Sequence, residues 1–361
     1  MPPPLKNLYN QDYIQTLASN IILHYPDFHA QDFTQKIFDC TWQDKELKQR
    51  MRHIASTLGT YLPQTYSQAI VILQATFCKM NSDEYRLQNM IFQDFVEVYG
   101  LDDFALSVSA LECFTVNASS EFAIRRFILK YPRDAMAQMR EWAKSENEHI
   151  RRLASEGCRP RLPWAVALGE FKSNPREVLD ILEILKDDVS LYVRKSVANN
   201  LNDISKDNPN IVKQIARKWK GVNSNTDWIL KHGCRTLLKS SDQEALEIFG
   251  FRADGDISIK NFTLSQTVSM GGALEFAFTL YAPLETKLRV EYALSFVRQN
   301  NKYGTKVFKI SEGFSHCVKR EVVKSYSFAP ISTRRYYEGV HKLAIVVNGV
   351  VLGEQEFVLK K

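Results

Sequence analysis

Most of the marks that betray a cofactor-bearing enzyme are missing from this chain of 361 residues. Its six cysteines (Cys40, Cys78, Cys113, Cys158, Cys234, Cys317) are scattered, and no C-x-x-C pair occurs. Such a set reads as free thiols in a reducing cytoplasm, not as a disulfide frame or a zinc site. The seven histidines are equally dispersed, with no H-E-x-x-H or comparable ligand spacing. Neither G-x-G-x-x-G nor a Walker sequence is present, so neither a metal nor a nucleotide cofactor is expected. No apolar run reaches the roughly eighteen residues of a spanning helix. Met1-Pro2-Pro3-Pro4-Leu5-Lys6 also lacks the apolar core of a signal peptide. These absences lead to the expectation of a cytoplasmic protein without membrane contact, taken as a monomer by default.

What is present is an ordinary globular composition, 45% hydrophobic and 24% charged, with a net charge of +6. The charge is unevenly spread. Residues 1–120 carry 8 basic and 13 acidic side chains, residues 121–240 carry 23 and 15, and residues 241–361 carry 16 and 13. A basic middle third beside an acidic first third points to a local polyanion-binding surface rather than to general stickiness.

The first 245 residues read as helix after helix. Leu47, Met51, Ile54 and Leu58 keep a helical period, as do Ile70, Leu73 and Phe77, then Met136, Met139 and Trp142, then Val178, Ile181 and Leu185. Prolines punctuate the joints at Pro26, Pro63, Pro132, Pro175 and Pro209, and Asn174-Pro175 reads as a cap followed by proline at the first helical position. Short helices with a loose repeat of about forty residues predict a mainly α fold, a HEAT-like solenoid of stacked antiparallel helix pairs over residues 1–245. After Phe249-Gly250-Phe251 the pattern changes. Leu274, Phe276, Phe278 and Leu280 alternate, as do Leu288, Val290, Tyr292, Leu294 and Phe296, and Asn348-Gly349 is a two-residue hairpin signal. Residues 252–361 therefore read as a small antiparallel immunoglobulin-like sandwich, lacking the inter-sheet cysteine pair. Lys302, Lys306 and Lys309 could reach a phosphate backbone from one of its hairpins, or simply solvate a strand edge.

The stretch His149–Trp164 holds four arginines against one carboxylate and ends in a tryptophan after two prolines. As a helix to Gly157 it turns Ile150, Leu153 and Ala154 to the core, and His149, Arg152 and Glu156 to a solvent-side face. About forty residues on, Lys195, Asn199 and Asp203 form a similar stripe opposite Val193, Val197, Leu201 and Ile204. A third, degenerate copy carries Lys231, His232 and Arg235 without an acid. A lone acid in the last turn of a helix is disfavoured by the dipole by roughly 0.3–1 kcal/mol, so Glu156 needs a cationic neighbour or ligand.

The segments HIRRLASEGCRPRLPWA and VRKSVANNLNDISKDNP, with SSEFAIRRFILKYP before them, resemble the signature stretches of AlkC-type DNA alkylation repair glycosylases, relatives of AlkD. The C-terminal strands resemble the immunoglobulin-like extension that some members carry. The resemblance implies a partner, duplex DNA containing alkylated bases. It further implies hydrolysis of the N-glycosidic bond of cationic bases such as 3-methyladenine and 3-methylcytosine, without deep base flipping. A cationic base is already a good leaving group, so carboxylates that stabilise an oxocarbenium-like sugar and position water are the chemistry required. Glu156 and Asp203 are the candidate acids, Glu121 a further one, and Trp164 the contact to base or sugar through cation–π attraction. Arg152 is suited to the minor groove. Arg151, Arg159, Arg161, Arg194, Lys195, Lys231, His232 and Arg235 are candidates for phosphate contacts.

The residues alone leave structural alternatives open. Glu156 can pair with Arg152 one turn earlier, Asp203 can brace the loop after its helix, Glu121 suits a helix start, and Trp164 can plug a core. A non-catalytic helical scaffold that grips nucleic acid or an acidic protein partner is the competing reading. Such a grip gains nothing from acids set within basic stripes.

Overall fold

The computed structural model describes residues 3–80, 86–253, 256–299, 302–331 and 334–361. Among these, sixteen α-helices lie between Gln11 and Ile248, and eight strands follow from Ser258 to Lys360. No helix is long and apolar enough to cross a membrane among the described residues.

The helix Glu148–Gly157 illustrates how the sequence builds the helical part. Asn147 caps it by accepting the His149 amide at 2.8 Å, and Glu148 in the first turn suits the positive dipole end. Ile150, Leu153 and Ala154 are buried as the helical period requires. Gly157 closes the helix where neighbours come too near for a side chain. A Cβ there would stand 2.7 Å from Ile124 Cγ2 and 2.8 Å from Met139 Cε, on the helices Ile124–Lys130 and Pro132–Trp142. Pro132 opens its helix and Pro209 opens Pro209–Trp219, whereas Pro175 stands one place outside Arg176–Ile184, at its cap.

Helix Leu191–Ile204 packs against Glu148–Gly157, and Ser224–Gly233 packs against Leu191–Ile204. Hydrogen bonds keep the first two in register. Ser190 bonds Glu148 near the starts, Ser155 Oγ bonds Ser196 Oγ at 2.7 Å midway, and Arg159 Nε bonds Asp203 at 2.9 Å past the end of the first helix. These partners lie 42, 41 and 44 residues apart, so the like helices run parallel at the expected repeat.

The eight strands are β1 (Ser258–Leu264), β2 (Thr267–Ser269), β3 (Ala273–Tyr281), β4 (Lys287–Val297), β5 (Tyr303–Phe314), β6 (Lys319–Ser327), β7 (Gly339–Val347) and β8 (Val350–Lys360). They form the expected sandwich, with a sheet of order β1-β3-β6 and a second of order β2-β8-β7-β4-β5. The alternating residues of β3 and β4 meet between the sheets in one core with Phe328, Leu343, Ile345, Phe357 and Leu359. Asn348 and Gly349 both have positive φ, at 48° and 81°, the primed turn their pairing signals.

The chain divides into two compact units, one of Met1–Asn208 with Trp219–Gly233, the other of Pro209–Lys218 with Cys234–Lys361. Three short helical segments group with the strands, and within that unit Lys213 pairs with Glu244 at 2.6 Å. A Cβ at Gly349 would meet Leu246 Cδ1 at 2.4 Å, so the segment Gln243–Ile248 lies against the β7–β8 turn.

Candidate active site

The acid ends of the two stripes read as solvent-facing are buried. Glu156 is 5% exposed and Asp203 2%, Glu156 lying against Ser196 of the next helix and Asp203 under the Arg159 side chain. Both carboxylates tolerate that burial by being paired. Arg159 Nη1 lies 2.6 Å from Glu156 Oε1, and Arg159 Nη2 lies 2.8 Å from Asp203 Oδ2. Ser196 Oγ donates to Glu156 Oε2 at 2.6 Å, and Lys206 Nζ reaches Asp203 Oδ1 at 3.0 Å. Burial alone works against the Arg159 charge, but Glu156 and Asp203 outweigh it and hold its pKa above the usual guanidinium value.

The chain of charges continues in the other direction. Arg152 Nη2 stands 3.4 Å from Glu156 Oε1, while Nη1 bonds Glu121 and donates to Ser119 Oγ at 2.6 Å. Its guanidinium carbon sits 5.1 Å from the centre of the Tyr192 ring. Burial disfavours this charge too, and Glu156 and Glu121 more than restore it, raising the pKa. Glu121, Arg152, Glu156, Arg159, Asp203 and Lys206 thus alternate in sign along one connected network, three acids against three bases. Of the acids, Glu121 is the most open, its side chain 14% exposed against 6% for Glu156 and 3% for Asp203.

Trp164 lies on the loop beyond Pro160 and is 68% exposed, so it is not a core plug. Its φ is 61°, a left-handed conformation that costs a residue with a Cβ roughly 1–2 kcal/mol. Lys48 holds it there, donating to the Trp164 carbonyl at 2.8 Å while its ammonium lies 4.3 Å over the Phe122 ring. The loop is anchored underneath by Arg125, wholly buried, which donates to the carbonyls of Gly157 at 2.9 Å, Arg159 at 2.8 Å and Val166 at 2.8 Å. Burial pushes the Arg125 pKa down to about 10.

Several side chains expected at phosphates have partners within the protein. Arg159 is enclosed between its two acids. Arg151 forms a two-point pair with Asp188, at 2.6 and 3.0 Å, and donates to the Ser145 and Glu146 carbonyls. Arg194, at the same place in the next helix, donates to the Asp188 and Val189 carbonyls at 2.8 and 2.9 Å. Both arginines clip the loop before their own helix, a repeated structural device. Arg161 is exposed but pairs with Asp207 through two bonds at 3.0 and 2.6 Å. Lys195, Lys231 and His232 lie at the surface, His232 stacked on Trp228 at 3.9 Å between ring centres. Arg235 opens the helix Arg235–Lys239 and belongs to the other compact unit.

Arg125, Ser119, Ser196, Tyr192, Phe122 and Lys48 escape the sequence reading. The hydroxyls and Tyr192 carry no charge pattern, and Arg125 looks like one more surface base. Lys48 comes from a helix 116 residues away from Trp164, so no local signal could find it.

Residues 111–241 match the family model of a DNA alkylation repair enzyme, and residues 258–361 match that of the C-terminal Ig-like domain of the uncharacterised protein YhaZ. Uncharacterized protein YhaZ of Bacillus subtilis (strain 168) is 41% identical over 358 residues, 98% of each chain. The solved structure of Pseudomonas fluorescens alkylpurine DNA glycosylase AlkC, bound to DNA containing an abasic site analog, is 36% identical. It superposes with a TM-score of 0.93, covering 99% of this chain and 100% of that one.

Proposed function

The chain belongs to the AlkC-type family of DNA alkylation repair enzymes, and from that premise we propose how it acts as a DNA glycosylase on cationic alkylated bases. The substrate is duplex DNA carrying a base made cationic by alkylation, 3-methyladenine or 3-methylcytosine, and the N-glycosidic bond is hydrolysed without a deep base-flipping pocket. The observation that carries this reading is the alternating network itself. A phosphate grip has no use for three acids within it, whereas departure of a cationic base leaves an oxocarbenium-like sugar that carboxylates stabilise.

Burial reverses the ranking of the acids drawn from sequence. Glu121, the most open, faces the sugar and positions water. Glu156 and Asp203, locked by Arg159, act from behind as fixed charge. The exposed indole of Trp164 meets base or sugar, and its strained backbone is what keeps it out of the core. The surface side chains Lys195, Lys231 and His232 supply phosphate contacts on the helical unit.

The test is incubation with methylated duplex DNA in EDTA, followed by chromatography of the released bases. Wild type is expected to free 3-methyladenine. Glu121→Gln is expected to keep its affinity for undamaged duplex within about twofold and to lose base release by about 100-fold, the scale of one lost electrostatic group. DNA binding by the wild type with no liberated base favours the scaffold reading instead.

A further inference from the structure

Helix physics gives Lys48 no reason to be where it is. It is the second residue of the helix Leu47–Tyr61, whose first turn holds no acid, and a cation there opposes the positive end of the dipole. It is exposed, and among the described residues it pairs with no carboxylate. Its ammonium instead joins two places that the sequence keeps far apart. It donates to the Trp164 carbonyl at 2.8 Å and lies 4.3 Å over the ring of Phe122, which follows Glu121 in the turn before Ile124–Lys130. Arg125 secures the Gly157, Arg159 and Val166 carbonyls, so the ends of the loop are fixed from beneath and Lys48 acts at Trp164 itself. Two forces oppose the outward pose of that residue. Its φ of 61° is a left-handed conformation that a residue with a Cβ leaves when released. Its indole also borders a groove of about 510 Å³ whose lining includes Pro4, Leu5 and Leu47, apolar surface onto which a 68% exposed ring gains by settling.

We propose that Lys48 is a positioning residue for base release, holding the Trp164 indole out toward DNA and tying it to the turn that carries Glu121. The proposal rests on the glycosylase reading and extends its machinery to the N-terminal helices, outside the residues 111–241 that match the family model. Strained backbone persists where the surroundings over-determine it, and such places cluster at functional sites. Here one ammonium supplies the constraint. Its bond to a carbonyl fixes the backbone of Trp164 without covering the indole, so the ring face stays free. The same ammonium over Phe122 sets the spacing between Trp164 and Glu121, the indole and the open carboxylate that must meet one nucleotide together. A displacement of about 1 Å in such a constellation can cost on the order of 100-fold in rate. A lysine suits the task because its compact charge donates to an oxygen and faces a ring at once. Lys48 touches no reacting atom in this scheme and acts through Trp164 and Glu121.

The experiment uses the full chain as wild type, Lys48→Met and Lys48→Arg, each made also with Trp164→Phe. Single-turnover release of 3-methyladenine from methylated duplex gives the rate, and titration of undamaged duplex gives the affinity. Acrylamide quenching of fluorescence, taken as the difference between each protein and its Trp164→Phe counterpart, isolates that indole from the other tryptophans. Lys48→Met is expected to lower the rate at least about tenfold, with affinity within about threefold of wild type. The Trp164 quenching constant should fall at least about twofold as the ring settles onto the groove. Lys48→Arg, which keeps a charged donor, is expected to recover at least half of each loss. A Lys48→Met rate equal to that of wild type overturns the proposal, as does a lost rate beside unchanged quenching. A loss confined to affinity overturns it too and makes Lys48 a phosphate contact. Should Lys48→Met not fold, Lys48→Gln, which lacks the charge, is read by the same criteria. Wild type that releases no base defeats the glycosylase reading. Wild type that releases base beside an equally active Lys48→Met defeats the positioning role alone.

Discussion

Arg159 carries the largest energetic stake of any single side chain in the site. It is 7% exposed and joins two buried acids from consecutive repeats. Removing one partner from a buried pair costs about 3–5 kcal/mol, because the remaining charge is left unpaired. Arg159→Met is therefore expected to lower the unfolding free energy measured in urea by an amount in that range, and a loss below about 1 kcal/mol would mean that the bridge behaves as a solvated surface pair. Trp164 should respond in the opposite way. Its indole is mostly in water and its backbone is left-handed, so Trp164→Gly relieves strain of roughly 1 kcal/mol while removing little buried surface. Unchanged or higher thermal stability with base release reduced at least tenfold is the expected pair of results. A fall in melting temperature would show that the ring packs against the fold.

Among the elements, β7 contains a group whose protonation bears on stability. His341 is wholly buried, its ring stacked on Phe357 at 5.5 Å and edge-on to Phe296 and Phe328. One ring nitrogen meets the Tyr337 carbonyl at 3.0 Å, and the other is buried without a partner. Burial holds its pKa below the ordinary 6.5. The unfolded chain thus binds the proton more readily than the folded one. Stability is whole above pH 6.5 and is lost as pH falls through the depressed folded value. Melting of the sandwich, followed by its near-ultraviolet tyrosine signal, should weaken between pH 7 and pH 5. His341→Phe should flatten that slope, and an unaltered slope in the variant would assign it to other groups.

For the whole molecule, the division into units makes a further test. The helix Pro209–Trp219 contributes Pro209–Lys218 to the same unit as the strands, where Lys213 pairs with Asp242 and Glu244 and Arg217 pairs with Glu244. A chain ending at Gly233 strips this segment of those partners, whereas one ending at Gly250 keeps them. The shorter product is expected to melt lower or to precipitate. Equal melting curves would show that these pairs contribute nothing to the stability of the segment Pro209–Lys218.

How far the sequence reaches depends on how local the determining physics is. Helical period, proline joints, strand alternation and the Asn348-Gly349 turn all act within a few residues, so the order of the elements and the two-sheet sandwich are legible from the chain alone. So are Glu121, Arg152, Glu156, Arg159 and Asp203, since an acid amid arginines needs explanation wherever it sits. What the chain could not disclose is which side of each helix meets water. The stripe of Arg152 and Glu156 has the polarity of a surface, yet the neighbouring helix covers it, and that burial is tolerable because the charges are paired, Glu156 with Arg152 and Arg159 on the same stretch and Arg152 with Glu121 31 residues before it. The same non-local packing left Glu121 more open than Glu156 and Asp203, gave Arg151 and Arg159 carboxylate partners within the fold, and brought Lys48 to Trp164. Local chemistry wrote the parts and their charges; the stacking of repeats decided which of those charges face each other and which face solvent.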